Sequence, residues 1–187
     1  MLGLPKGTVK LEPHSERWRQ LFDEEAARIR AAIGEVVATI EHIGSTSIGG
    51  IAAKPIIDIA VGVEKIADGA RCVRPLENTG YEYRGEHGIA GRFYFVKGEP
   101  RSHHLHLVEI GGDFWRSHLL FRDCLRENQT TAEEYENLKK DLAKRHADNR
   151  EAYTEGKAAF IENVLKIAGF RRLSKSGETI SKRKFEL

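Results

Sequence analysis

Asp58 is an acidic residue in an apolar setting. It lies in the run PIIDIAVGV, residues 55–63, whose β-branched residues and flanking breakers predict a buried strand. A carboxylate in such a strand is costly unless it meets a metal ion, a cation or hydrogen-bond donors. Just upstream, Gly44, Ser45, Thr46 and Ser47 make a turn that opens a short helix. Hydroxyls and free N–H groups at a helix start form a natural phosphate cradle. Lys54 stands between that turn and the strand, Arg92 opens RFYFV, and His104 and His106 alternate in HLHLV. Strand alternation puts Asp58, Ala60 and Gly62 on one face and Ile57, Ile59, Val61 and Val63 on the other. The same parity separates His104 and His106 from Leu105 and Leu107, and Arg92, Tyr94 and Val96 from Phe93 and Phe95. One sheet face thus collects an Asp, two His and an Arg, which suits a metal site or a phosphate site.

Each of these residues also has a plainer reading. Asp58 could be a structural carboxylate paired to Lys54 or an arginine. A His-x-His strand can simply cover a surface, and Ser45, Thr46 and Ser47 can simply cap a helix. Gly44, Gly49 and Gly50 suit tight turns. Lys54, Arg122 and Arg126 read as solvated cations, the two arginines one turn apart on a helix. Trp18, Trp115 and Phe121 read as core.

The elements that must position these residues follow from periodicity and breakers. Residues 8–11 form a short strand candidate. Ser15 can cap a helix that buries Trp18, Leu21, Phe22, Ile29, Ala32 and Ile33 and ends at Gly34. Residues 36–43 predict a strand, followed by the turn, a short helix and the strand of Asp58. Residues 65–80 predict a helix with Ile66, Ala70, Val73 and Leu76 inward and a break near Pro75. Two alternating strands flank the polar turn KGEPRS. From Phe114 the chain is helical: a first helix to Arg126, then a long region with start signals at Thr131/Glu134 and Asp148/Glu151. Strands early and helices late give an α+β fold, a mixed sheet with helices on it. Residues 1–170 read as a single domain and 171–187 as a basic extension.

The 187 residues can bury roughly 70% of the unfolded surface, so folding needs no disulfide or structural metal. A formal net charge of +2 is too small by itself to argue for nucleic acid, which is not the expected partner. Cys72 and Cys124 show no CxxC spacing, which fits a reducing cytosol. No signal peptide or membrane-length apolar run is visible, so a soluble cytoplasmic protein is expected. HExxH, GxSxG, GxGxxG and the P-loop pattern are absent.

The ordered motifs EHIGSTSIGGIAAKPIIDIAVGV, HHLHLVE, FRDCLREN, AEEYENLKKDLA and NREAYTEGKAAFI closely resemble the GrpB family. That family is also similar to a domain appended to dephospho-CoA kinase in some bacteria. The resemblance implies a nucleotidyltransferase-like fold in which a Gly-Ser turn binds nucleotide phosphate and an Asp-x-Asp pair holds divalent metal. Gly44 and Ser45 match the turn, and Asp58 matches the first Asp and so the catalytic carboxylate. The second position is Ala60, a departure from the catalytic pattern. His104 and His106 could complete a metal set around Asp58, for Mg²⁺ or, given the histidines, a transition metal. Glu109, the nearest later carboxylate, has the wrong parity. The resemblance implies a protein that binds a nucleotide or phosphorylated small molecule through Gly44, Ser45, Thr46, Ser47, Lys54 and Arg92. Its alternative is a non-catalytic binding, folding or interaction module.

Overall fold

The computed structural model describes residues 2–173; the rest of the basic extension lies outside the described residues. Five strands form one sheet in the order β1-β2-β5-β4-β3. They are β1 (Thr39–Ile43), β2 (Ile57–Val63), β3 (Tyr81–Tyr83), β4 (Phe93–Lys97) and β5 (His103–Glu109). The central strands β2 and β5 run parallel, and the other neighbours are antiparallel. The expected mixed sheet with flanking helices is therefore the observed fold.

The alternation read from the sequence holds. Ile57, Ile59, Val61, Val63, Leu105, Leu107 and Phe95 all bury into one core. Helix α1 (Arg17–Ile33) covers that face with Trp18, Phe22, Ile29 and Ile33, and α2 (Gly69–Glu77) adds Cys72 and Leu76. On the opposite face, Trp115 of α3 (Asp113–Glu127) packs with Ile43, Ala60 and Val108. A second apolar cluster joins α3, α4 (Gln129–Arg145) and α6 (Ala158–Ile167) through Phe121, Leu125, Tyr135, Ile161 and Leu165. Ile48 and Ile51, from the connection between β1 and β2, belong to this second cluster. That connection is thus wedged between sheet and helices, and the Gly/Ser turn is held by both.

Several boundaries differ from the expectation. Residues 8–11 are not a strand: Val9 and Leu11 pack on Leu138, Leu142 and Tyr153, and Val9 N–H donates to Ala147 O at 2.9 Å. Strand β1 begins at Thr39, because Val36 N–H still bonds to the helical carbonyl of Ile33. Residues 66–68 form a 3₁₀ turn before α2, so the buried stripe runs through Gly69, Cys72 and Leu76, and Ala70 is exposed. Pro75 stays inside α2; the carbonyl it cannot match belongs to exposed Arg71, where water can serve it. Asn128 and Asn149 cap α4 and α5 (Arg150–Glu155), accepting from Thr131 N at 2.9 Å and Ala152 N at 3.0 Å. Asparagine caps as well as serine, threonine or aspartate do, so the start assigned to Thr131 moves back to Asn128 and the one assigned to Asp148 moves one residue on, to Asn149. The final helix is two helices, α5 and α6, parted at Gly156, where a Cβ would lie 2.4 Å from Leu142 Cδ2.

Candidate functional site

Gly44 leaves β1 with φ of 69°, in the region that favours glycine. A Cβ at this position would sit 2.5 Å from Asp58 Oδ2, so the turn backbone lies directly against the carboxylate. The single 3₁₀ turn Ser45–Ser47 follows. Its hydroxyls divide the work. Ser47 Oγ donates back to Gly44 O at 2.6 Å, and Thr46 Oγ1 donates to Ile56 O at 3.3 Å. Having spent its proton, the Thr46 hydroxyl accepts from His42 Nε2 at 3.0 Å, and the His42 ring stacks on Phe22. Burial pushes His42 down to about 3, which keeps the ring neutral.

Arg122 and Arg126, read from the sequence as an exposed stripe, instead clamp this turn. Arg122 is buried and donates to Glu41 Oε2 at 2.7 Å and His42 O at 3.0 Å, and Arg126 donates twice to Ser47 O. From α4, Glu136 accepts from Ala52 N at 2.7 Å and buried Lys139 donates to Ala52 O.

Register on β2 and β5 sets Asp58 opposite His104 and Ala60 opposite His106. His104 Nδ1 donates to Asp58 Oδ1 at 2.8 Å. Burial pushes the Asp58 carboxyl up, but the His104 bond and the Lys54 charge outweigh it and hold the group well below the usual carboxylate range. With Nδ1 donating, His104 Nε2 is an acceptor, and Arg150 Nη2 lies 3.4 Å from it. His106 Nδ1 accepts from Arg92 Nη1 at 3.2 Å. Arg92 is almost fully buried and also donates to the carbonyls of Glu86 and His87. Burial first, and then Arg92, push His106 well below its usual range; burial also lowers His104 against the pull of Asp58.

A small pocket opens over Asp58, lined by Ser45, Thr46, Lys54, Ile56, His104, Tyr153 and Lys157. Lys54 Nζ lies 5.3 Å and Lys157 Nζ 4.9 Å from the Tyr153 ring centre. Burial and then Arg150 lower Lys54 to about 8, and burial and then Lys54 lower Lys157 well below the usual amine range. Among the described residues that line this pocket, Asp58 is the one carboxylate.

Of the residues singled out from sequence, Gly44, Ser45, Thr46, Lys54, Asp58 and His104 therefore converge. Ser47, Arg92 and His106 sit behind the pocket rather than on its wall. Glu109, as its parity implied, is elsewhere: exposed, with Oε2 accepting from Ile66 N at 3.2 Å. Arg150, Tyr153 and Lys157 were not singled out, although NREAYTEGKAAFI contains all three. The signal was Lys157 itself, an amine directly after a glycine in an otherwise periodic apolar segment.

The donor set does not suit the divalent ion expected at Asp58, His104 and His106. Among the described residues, no group of three or more His, Cys, Asp or Glu side chains is arranged to hold a metal ion. The imidazole lone pairs face the guanidinium groups of Arg150 and Arg92.

The model for the GrpB protein family matches residues 8–167. The chain belongs to the GrpB family. It is 42% identical over 171 residues to the glutamate-rich protein GrpB of Alkalihalophilus pseudofirmus, covering 88% of this chain and 98% of that one. The crystal structure of the conserved protein GrpB from Enterococcus faecalis matches with a TM-score of 0.80 at 40% identity, over 85% of this chain and 96% of that one. A dephospho-CoA kinase of Mycolicibacterium paratuberculosis is 26% identical over 192 residues, covering 88% of this chain and 47% of the kinase. The Cid1 poly(U) polymerase, in a structure bound to MgATP, matches with a TM-score of 0.51 at 14% identity, over 71% of this chain and 44% of that one. This last likeness shows a nucleotidyltransferase-like fold. Among the described residues, no helix is long and apolar enough to cross a membrane.

Proposed function

We propose that this GrpB-family protein binds a nucleotide or another phosphorylated small molecule by its phosphates. The observation that carries this reading is the convergence of Lys54, Arg150 and Lys157 on the Gly44-Ser45-Thr46 turn beside a single carboxylate. Desolvating basic groups and crowding them together costs stability, and a phosphate anion bound beside them offsets part of that cost. The space is about 30 Å³, room for about two water-sized groups, so a phosphate reaches in as the tip of a ligand whose bulk lies outside. The shared fold with Cid1, a polymerase solved with MgATP, favours a nucleotide as that ligand. Nucleotidyl transfer is a further step that this reading does not include, since the partner carboxylate of Asp58 is replaced by Ala60.

The test is calorimetric titration of ATP into wild type, Lys54→Gln and Arg150→Gln. Each charge-assisted hydrogen bond is worth about 1.5–3 kcal/mol, so each variant is expected to bind roughly 10–100-fold more weakly. Wild-type binding that neither substitution weakens would sink the reading. The match to part of a dephospho-CoA kinase favours a second reading, an interaction or folding module. That reading predicts no ATP binding at any concentration tested, and association with a kinase domain instead.

A further inference from the structure

We infer that the phosphate ligand enters this site as a metal-free polyanion, so that a divalent cation competes with the protein for it. The inference rests on the phosphate reading above. It concerns the atoms a metal would need, of which Asp58 Oδ1 and both imidazole lone pairs already have a partner. Asp58 Oδ1 accepts from His104 Nδ1 at 2.8 Å, and Oδ2 lies against the Gly44 backbone. His104 keeps one lone pair, on Nε2, and the Arg150 guanidinium faces it at 3.4 Å. His106 keeps one lone pair, on Nδ1, and Arg92 donates to it at 3.2 Å.

A second carboxylate has no place to enter. Ala60 is packed among Ile43, Val108 and Trp115. Glu41, its partner across β1, is held at 2.7 Å by Arg122. Where a two-metal site gathers carboxylates around cations, this site sets Lys54 and Arg150 beside the one carboxylate that lines its pocket. A bound Mg²⁺ would meet their repulsion at short range. A polyphosphate meets their attraction, and loses part of it when Mg²⁺ has already neutralised the ligand.

The experiment is titration of ATP into the full chain in EDTA and in excess MgCl₂, with NaCl matching the ionic strength. ATP is expected to bind in EDTA and at least tenfold more weakly in Mg²⁺. Asp58→Asn removes a like charge from the anion's neighbourhood, and is expected to bind ATP in EDTA at least as tightly as wild type. Tighter binding in Mg²⁺ than in EDTA overturns the inference and leaves the phosphate reading standing, as does an Asp58→Asn protein that folds but loses ATP. Absence of ATP binding in both buffers overturns the phosphate reading, and this inference with it.

Discussion

Gly44 and Asp58 place each other. The glycine's φ of 69° turns the chain away from β1, and its missing Cβ leaves the 2.5 Å that Asp58 Oδ2 occupies. Any side chain here must both adopt a strained backbone and displace a half-buried carboxylate. Gly44→Ala is therefore expected to lower stability by about 1–3 kcal/mol, read as a shift of the urea midpoint. An unchanged midpoint would mean that the turn relaxes freely and that Asp58 is not held by it. Lys54 gives the second prediction at this scale. Lowered to about 8 by burial and Arg150, it loses its proton as pH rises through that value. Asp58, Arg150, Lys139 and Lys157 are the charged groups that act on it or share its surroundings. ATP affinity is expected to fall from pH 7 to pH 9.5, and to become independent of pH in that range in Lys54→Gln.

Among the elements, α3 does the most to build the site without entering it. Its apolar side joins both clusters on its face of the sheet through Trp115, Phe121 and Leu125. Its arginines reach past that core to Glu41, the His42 carbonyl and the Ser47 carbonyl. Arg122→Met keeps much of the volume but strands a carboxylate and a buried carbonyl. It is expected to cost about 2–4 kcal/mol in chemical denaturation and to weaken ATP binding, because the turn loses its clamp. Loss of stability with full ATP affinity would show that the clamp supports the fold and not the site. Helices α5 and α6 contribute through their break: the close approach at Gly156 lets the chain turn so that Tyr153 and Lys157 both reach the pocket.

For the whole molecule, buried bases set the pH dependence of stability. His42 at about 3, and His104 and His106 below their usual range, hold fewer protons folded than unfolded as pH falls below 6.5. Lys139 at about 7 and Lys54 at about 8 do the same between those values and 10.5. A group that binds more protons unfolded makes stability rise with pH, so both sets give a positive slope. Burial raises Tyr81, Tyr135 and Tyr153, whose contribution reverses the slope above about pH 10. Urea midpoints are thus expected to climb from pH 5 to pH 9.5 while ATP affinity falls over the upper half of that range. A midpoint that declines from pH 7 to pH 9.5 would show that these amines are not buried as bases.

The sequence by itself determined the two faces of the sheet, because alternation is a local property of strands. Asp58, His104 and His106 share a face for that reason, and Ile57, Ile59 and Leu105 share the other. It also marked the glycine turn, written in residue type, and through the family resemblance the Ala60 that stands where the implied Asp-x-Asp pair has its second carboxylate. What the tertiary structure decided is which partner each polar atom finds. Arg122 and Arg126 look like a solvated stripe until α3 packs on β1, and Lys157 looks like a helical amine until α6 closes on Asp58. The imidazoles that read as metal ligands face Arg92 and Arg150, from a loop and a helix far along the chain. Spacing along a strand fixes direction; only packing fixes which charge arrives opposite it, and here cations arrive.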